Sequence, residues 1–408
     1  MPEPQIRSSS RRGRLVTTAG FALNAAMGVL FAWSVIGKAL AAPVASGGFG
    51  WSQTAAALPY TLALAMFGLT MIPAGRLQDR FGPRAVAAAG AILCGCGLFV
   101  AGRGRPDSAW PIVLGFGLLS GTGIGFGYAS ATPAAVKWFG PEKKGLITGI
   151  VISGFGLAPV FIAPLAQRLI DTRGISRTFD LLGILFVVVA GLSAALLVNP
   201  PGWADRPVAP SALRALGARL RNPGYLSLYV QMACVATAGL MIIGHIARIA
   251  EIQSGGAVRG GFILVAVLAA FNALGRVSAG GVSDLIGRPR VMIAVFAAQA
   301  VLMFFFDHFQ TLAGLIFAAA LVGFNYGSSL SLFPATVADR WGVENMGINY
   351  GLMFTAWGAG GVVGPILAGR IADATGRYAA AFRVSSGLLL LAVLLATLGY
   401  GRLSSRRQ

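Results

Sequence analysis

Acidic residues are scarce in this sequence. Thirteen Asp and Glu stand against 32 Lys and Arg among 408 residues, and charged residues of both signs make up only 11% of the chain. A soluble domain is about one quarter charged, so the deficit excludes an ordinary water-soluble fold. Cysteine is rare as well. Cys94, Cys96 and Cys234 all fall inside apolar stretches, and Cys94-Gly95-Cys96 is too tight for a normal disulfide, so the three read as small apolar fillers. Neither HExxH nor GxSxG occurs, and no pair of carboxylates sits within the apolar runs. An enzyme is therefore not expected, and no cofactor or metal is implied. Short alternating segments of the kind that build a membrane β-barrel are also missing, which leaves helices as the spanning structure.

What the chain has in abundance is apolar length. Hydrophobic residues make up 56% of it, and runs long enough to cross a bilayer recur from end to end. Twelve are read, at 16–40, 55–75, 84–102, 110–132, 145–169, 178–198, 225–247, 259–282, 290–306, 311–336, 347–369 and 379–400. Met1 to Arg14 is polar and basic, and the first apolar run is a full span, so no cleavable signal peptide is expected. The net charge of +19 follows topology. With the N-terminus placed in the cytoplasm, 20 Lys and Arg fall on cytoplasmic loops and tails and 9 on the opposite side. This predicts an inner-membrane protein with both termini cytoplasmic, in contact with anionic lipid and with no role in nucleic-acid binding.

The longest polar gap lies near the middle and is rich in Pro and Arg. It divides the chain into a six-helix bundle at 1–198, a linker at 199–224 and a second six-helix bundle at 225–408. The halves repeat. Gly75-Arg76-Leu77-Gln78-Asp79-Arg80-Phe81-Gly82-Pro83-Arg84 follows span two, and Gly280-Gly281-Val282-Ser283-Asp284-Leu285-Ile286-Gly287-Arg288 follows span eight, with the two aspartates 205 residues apart. Gly154-Phe155-Gly156 in span five answers Gly358-Ala359-Gly360 in span eleven at an offset of 204. Parallel repeats of this kind belong to transporters with a midplane site between the halves.

The run G-x-L-x-D-R-x-G-x-R resembles the signature of the major facilitator superfamily, nearly complete in the first half and partial in the second. The resemblance implies an all-α membrane protein of twelve helices in two pseudo-symmetric bundles. A physical reason for the motif is available. A helix start carries partial positive charge and free N–H groups. Asp79 is thus expected to dock on the start of span eleven and Asp284 on the start of span five, as conformational latches, with Arg80, Arg84 and Arg288 pairing and orienting the carboxylates.

Arg276 is the anomaly. It lies about two turns inside span eight, where an arginine costs roughly 2.5–3.5 kcal/mol, and all thirteen acidic residues fall in tails, loops or span ends. A planar guanidinium in such a place is a receptor for a carboxylate, and the substrate is the anion to expect. Asn272 lies one turn earlier on the same face. Gly-Tyr clusters in spans four and ten bring Tyr128 and Tyr326 as further candidates, since a phenol bonds a carboxylate while its ring lines an apolar wall.

Pro133-Ala134-Ala135-Val136-Lys137-Trp138-Phe139, Asn325-Tyr326-Gly327, Phe333-Pro334, Asn349-Tyr350-Gly351-Leu352 and the Asn272/Arg276 pair resemble the monocarboxylate transporters and the bacterial oxalate/formate antiporter branch. The resemblance implies that Arg276 contacts the substrate carboxylate. Two departures matter. Animal monocarboxylate transporters carry an aspartate where Asn272 stands, and the oxalate antiporter carries a lysine in span eleven where Trp357 aligns. One cation in place of two favours a single carboxylate, with Trp357 shaping the apolar wall.

Lys38 and Arg383, near the outer ends of their spans, read as snorkelling bases. His245, near the outer end of span seven, is a candidate proton site. The expectation is a secondary carrier of lactate- or pyruvate-type monocarboxylates that works as a monomer, with the proton as co-substrate. An oxalate/formate-type antiporter and a carboxylate-binding membrane sensor are the alternatives.

Overall fold

The computed structural model describes residues 11–203, 217–258 and 262–404, and the middle of the predicted linker, 204–216, lies outside them. Among the described residues, ten helical segments are long and apolar enough to cross a bilayer. The fifth, Pro141–Leu196, holds two spans in its 56 residues. Its helix breaks at Gly174, whose φ of 77° and ψ of 171° are accessible to glycine. The predicted span nine is a 17-residue helix, Arg288–Phe304. The architecture is thus the all-α, twelve-span one.

The helices that matter below are α1 (Arg11–Met27), α2 (Trp33–Ala41), α3 (Gln53–Phe81), α4 (Pro83–Ala101), α5 (Gly121–Val136), α6 (Lys144–Leu157), α7 (Pro159–Leu196), α8 (Pro223–Ile243), α9 (Ile246–Gln253), α10 (Phe262–Ile286), α11 (Arg288–Phe304), α12 (Leu312–Trp341), α13 (Met346–Thr375) and α14 (Ala379–Ser404). Span four does not run as one α-helix. Val113–Ser120 winds as a π-helix ahead of α5.

The chain forms two compact units. The first is Met1–Gly140, Ile150–Val208 and Gly342–Gly351; the second is Pro141–Gly149, Ala209–Trp341 and Leu352–Gln408. Each unit therefore includes a short stretch from elsewhere in the sequence: the start of α13 in the first, the start of α6 in the second. Glycines permit both insertions. A Cβ on Gly75 would stand 2.0 Å from the Gly347 carbonyl oxygen, and one on Gly351 would stand 2.3 Å from that of Met71. In the second unit a Cβ on Gly280 would meet the Gly145 oxygen at 2.3 Å, and one on Gly149 the Arg276 oxygen at 2.1 Å. Small residues are what let helix backbones approach this closely in lipid.

The two motif turns are built alike. Gly82 (φ 83°) joins α3 to α4, and Gly287 (φ 91°) joins α10 to α11. A proline opens the following helix in both, at Pro83 and Pro289. The single-glycine turn keeps Asp79 and Asp284 on the last turn of their helices, one turn from the reversal.

Candidate functional site

The site starts from the seam between α10 and α12. A Cβ on Gly323 would stand 2.2 Å from the Leu268 oxygen, one on Gly275 2.1 Å from the Phe324 oxygen, and one on Gly327 1.9 Å from the Asn272 oxygen. This crossing holds the backbone of Asn272 directly against the Tyr326-Gly327 turn. Arg276 follows one turn later. It is 3% exposed, and its Nε donates to Asn272 Oδ1 at 2.8 Å. The amide orients the guanidinium plane and adds no counter-charge of its own. The Tyr326 hydroxyl, on α12, accepts from Trp357 Nε1 at 2.7 Å. An oxygen that accepts from an indole directs its own O–H toward another acceptor. Four of the predicted site residues, Asn272, Arg276, Tyr326 and Trp357, thus belong to the second unit, each buried and joined in two hydrogen-bonded pairs.

The repeat sharpens the meaning of Arg276. Gly149 crosses at the Arg276 backbone in the second unit, and Gly351 crosses at the Met71 backbone in the first. Arg276 and Met71 are 205 residues apart, the offset of the motif aspartates. The same backbone crossing therefore carries a thioether in one half and a permanent cation in the other. Packing accounts for the glycines on both sides and leaves the charge to be explained by function.

Tyr128 belongs to the first unit. It is buried in an aromatic cluster, with ring centroids 5.3 Å from Phe67, 5.2 Å from Phe155 and 6.1 Å from Tyr350. His245 sits where span seven breaks between α8 and α9. Its Nε2 lies 3.0 Å from the Pro365 carbonyl oxygen and its Nδ1 3.2 Å from the Tyr378 hydroxyl. A carbonyl only accepts, so Nε2 carries a hydrogen, and the neutral ring can accept from Tyr378 at Nδ1. Arg383, read from the sequence as a snorkelling base, bonds Asp307 at 2.9 Å and lies over the Phe304 ring.

The motif carboxylates each cap a helix start. Asp79 accepts from the backbone N–H of Gly347 at 3.1 Å and of Ile348 at 3.0 Å. Asp284 accepts from Gly145 at 2.9 Å and Leu146 at 2.8 Å. The cations around them are only partly those expected. Arg288 pairs with Asp284 and, through Nε, with Asp339 at 2.9 Å. Arg80 instead lies over the Phe81 ring, and Arg84 is exposed. Among the described residues no hydrogen bond or ion pair joins either to Asp79. The reason is geometric: Arg80 and Arg84 flank the turn and point out of it, where their charge stays solvated. The partner that reaches Asp79 is Gln78. With its amide oriented to satisfy both neighbours, it donates to Asp79 Oδ1 at 2.8 Å and accepts from Lys137 Nζ at 3.2 Å. Lys137, 3% exposed, also reaches Asn199 Oδ1 at 3.4 Å and lies over the Trp203 ring.

Gln78, Lys137 and Asp339 were not singled out from the sequence. A signal was there: Lys137 and Asp339 end spans four and ten 202 residues apart, close to the repeat offset, with opposite signs.

Lys137 lies just past the end of α5, and burial, opposed by the charges of Asp79 and Glu344, pushes its ammonium down to about 8. A lysine held below its ordinary 10.5 binds fewer protons folded than unfolded in that window. Stability is expected to rise with pH from about 8 to about 10.5 at this group. Melting curves of wild type and Lys137→Met across this range check it. Identical pH slopes for the two proteins would contradict the assignment.

Length, hydropathy, twelve spans in two repeated halves and a buried intramembrane cation are the features of a membrane transporter rather than of a membrane enzyme. The sequence profile of the Major Facilitator Superfamily matches residues 22–271 and again 257–407, and the chain belongs to that family. Among curated relatives, an uncharacterized MFS-type transporter of Escherichia coli, YhjX, is 29% identical over 372 residues, 87% of either chain. The oxalate:formate antiporter of Oxalobacter formigenes is 28% identical over 378 residues, covering 91% of this chain and 87% of that one. Mouse monocarboxylate transporter 11 is 27% identical over 402 residues, covering 95% and 88%. The fold is shared with solved structures of the E. coli fucose:proton symporter FucP (TM-score 0.71, 15% identity, 93% of this chain and 98% of that one) and of the human organic anion transporter MFSD10 (0.71, 15%, 94% and 99%).

Proposed function

We propose that this transporter moves a small monocarboxylate, of the lactate or pyruvate type, across the inner membrane by alternating access, as a monomer with both termini cytoplasmic. The observation that carries the reading is the buried guanidinium of Arg276, oriented by a neutral amide at a crossing whose repeat counterpart is Met71. The cargo carboxylate takes two N–H groups of Arg276. Asn272 and Tyr326 fix its orientation, and Trp357 closes the apolar side while holding the Tyr326 hydroxyl. The names of two relatives, an oxalate:formate antiporter and a monocarboxylate transporter, support a carboxylate as cargo.

Proton symport is the proposed mode, because an anion entering alone opposes an inside-negative potential. His245 is the titratable group proposed for it. Exchange of one carboxylate for another is the second reading, favoured by the antiporter relative. Proteoliposome uptake of lactate, pyruvate, formate and oxalate, with and without a pH gradient, separates them. Lactate uptake driven by an inward proton gradient supports symport. Oxalate outcompeting lactate, with uptake dependent on internal formate, replaces it with exchange of the antiporter type.

Asp79 and Asp284 are proposed as latches at the starts of α13 and α6, with Arg288 orienting Asp284 and with Arg80 and Arg84 as outer charges of the first turn. Asp79→Asn keeps the shape and removes the charge that accepts from Gly347 and Ile348. The variant is expected to favour the inward-open state, read as increased labelling of single cysteines placed on the cytoplasmic side. Labelling equal to wild type counts against a latch.

A further inference from the structure

In the second unit, at the end that carries Asp284 and Arg288, α8, α11, α12 and α14 surround a cavity of about 940 Å³. Its two walls differ in character. One is polar and cationic: Asn222 caps the start of α8, Ser227 and Gln231 lie one turn apart on that helix, and Arg340 comes from the last turn of α12. Gln231 is 5% exposed and its Nε2 donates to Ser227 Oγ at 3.2 Å. The indole of Trp341 stands beside Arg340, held edge-to-face by the buried Tyr225 ring at 4.9 Å. The other wall is apolar and includes Leu395, Ala396 and Leu398 of α14. Leu398 is 58% exposed and continues the outward stripe of Leu390 and Leu394 on α14.

We propose that this cavity binds an anionic phospholipid, with the headgroup phosphate on Arg340 and an acyl chain along the Leu390–Leu394–Leu398 stripe. The guanidinium suits a phosphate because its planar donors match two oxygens. The first turn of α8 adds the positive end of a 21-residue helix. An indole beside the cation is what the headgroup layer favours, and cationic pockets between spans at a membrane surface hold lipid headgroups. A free anion would use only the polar wall. The apolar wall, continuous with the lipid-facing stripe, selects a ligand with both parts. None of these residues belongs to the carboxylate site or the latches.

The full-length protein in phosphatidylcholine nanodiscs containing phosphatidylglycerol tests this by native mass spectrometry. Wild type retains one phosphatidylglycerol, Arg340→Gln retains about tenfold less, and Arg290→Gln, at an exposed arginine outside the cavity, retains as much as wild type. Ser227→Leu, which fills the polar wall without touching the charge, also loses the lipid and guards against misfolding of the first variant. Four results overturn the site: no retention by wild type, equal retention by Arg340→Gln, equal losses in Arg290→Gln and Arg340→Gln, or displacement of the lipid by millimolar inorganic phosphate.

Discussion

Arg276→Gln is expected to abolish uptake of the proposed carboxylate cargo and to leave the protein folded. Glutamine can still reach Asn272 and keeps an amide where the guanidinium was, so the seam between α10 and α12 survives. What goes is the fixed charge and the fork that takes two carboxylate oxygens. Removing one partner of a buried ion pair costs about 3–5 kcal/mol, which is roughly two to nearly four orders of magnitude in affinity. Uptake measured at substrate concentrations near the wild-type KM should fall to background, while a melting curve in detergent shifts little. Arg276→Lys tests the geometry separately, because it keeps the charge and loses the fork; partial recovery with a raised KM is expected. Full uptake by Arg276→Gln would remove the basis for a carboxylate site in span eight.

Gly327→Val has the opposite signature, losing the fold rather than the charge. Its Cβ would stand 1.9 Å from the Asn272 carbonyl oxygen, backbone against backbone, with no flexible side chain to yield. The helices must part, and Gly323 and Gly275, one turn to either side, lie in the same crossing and part with them. Overpacking of a tight core costs about 1–3 kcal/mol and at times more, and a branched residue at this position lies at the upper end. The expected result is low yield and a melting temperature well below wild type. A stable Gly327→Val protein with normal uptake would show that the seam is not what positions Arg276.

The two variants separate what was legible early from what was not. Twelve spans, two halves and the family could be read from hydropathy and from the aspartate motif, because a bilayer imposes length and apolarity on each span locally. Arg276 and Asn272 stood out because a charge and an amide are conspicuous in an apolar run. Arg80 and Arg84 misled because a motif shows which residues are near in sequence, whereas the cation that reaches Asp79 comes from the end of span four through Gln78. Trp357 could be placed against an apolar wall by alignment, but its hydrogen bond to Tyr326 joins residues 31 positions apart on different helices.

By itself the sequence determined the class: its composition admits only a membrane protein, its repeat two bundles, and its motif one superfamily. Those properties are local or periodic, and one chain contains them completely. Only the tertiary structure decided which glycines bring the starts of α6 and α13 into backbone contact, that Arg276 and Met71 occupy equivalent crossings, and that Lys137 stands behind Asp79. Such facts depend on which helices approach within a glycine's width. That approach is set by the summed packing of whole helices, and no single stretch of the chain records it.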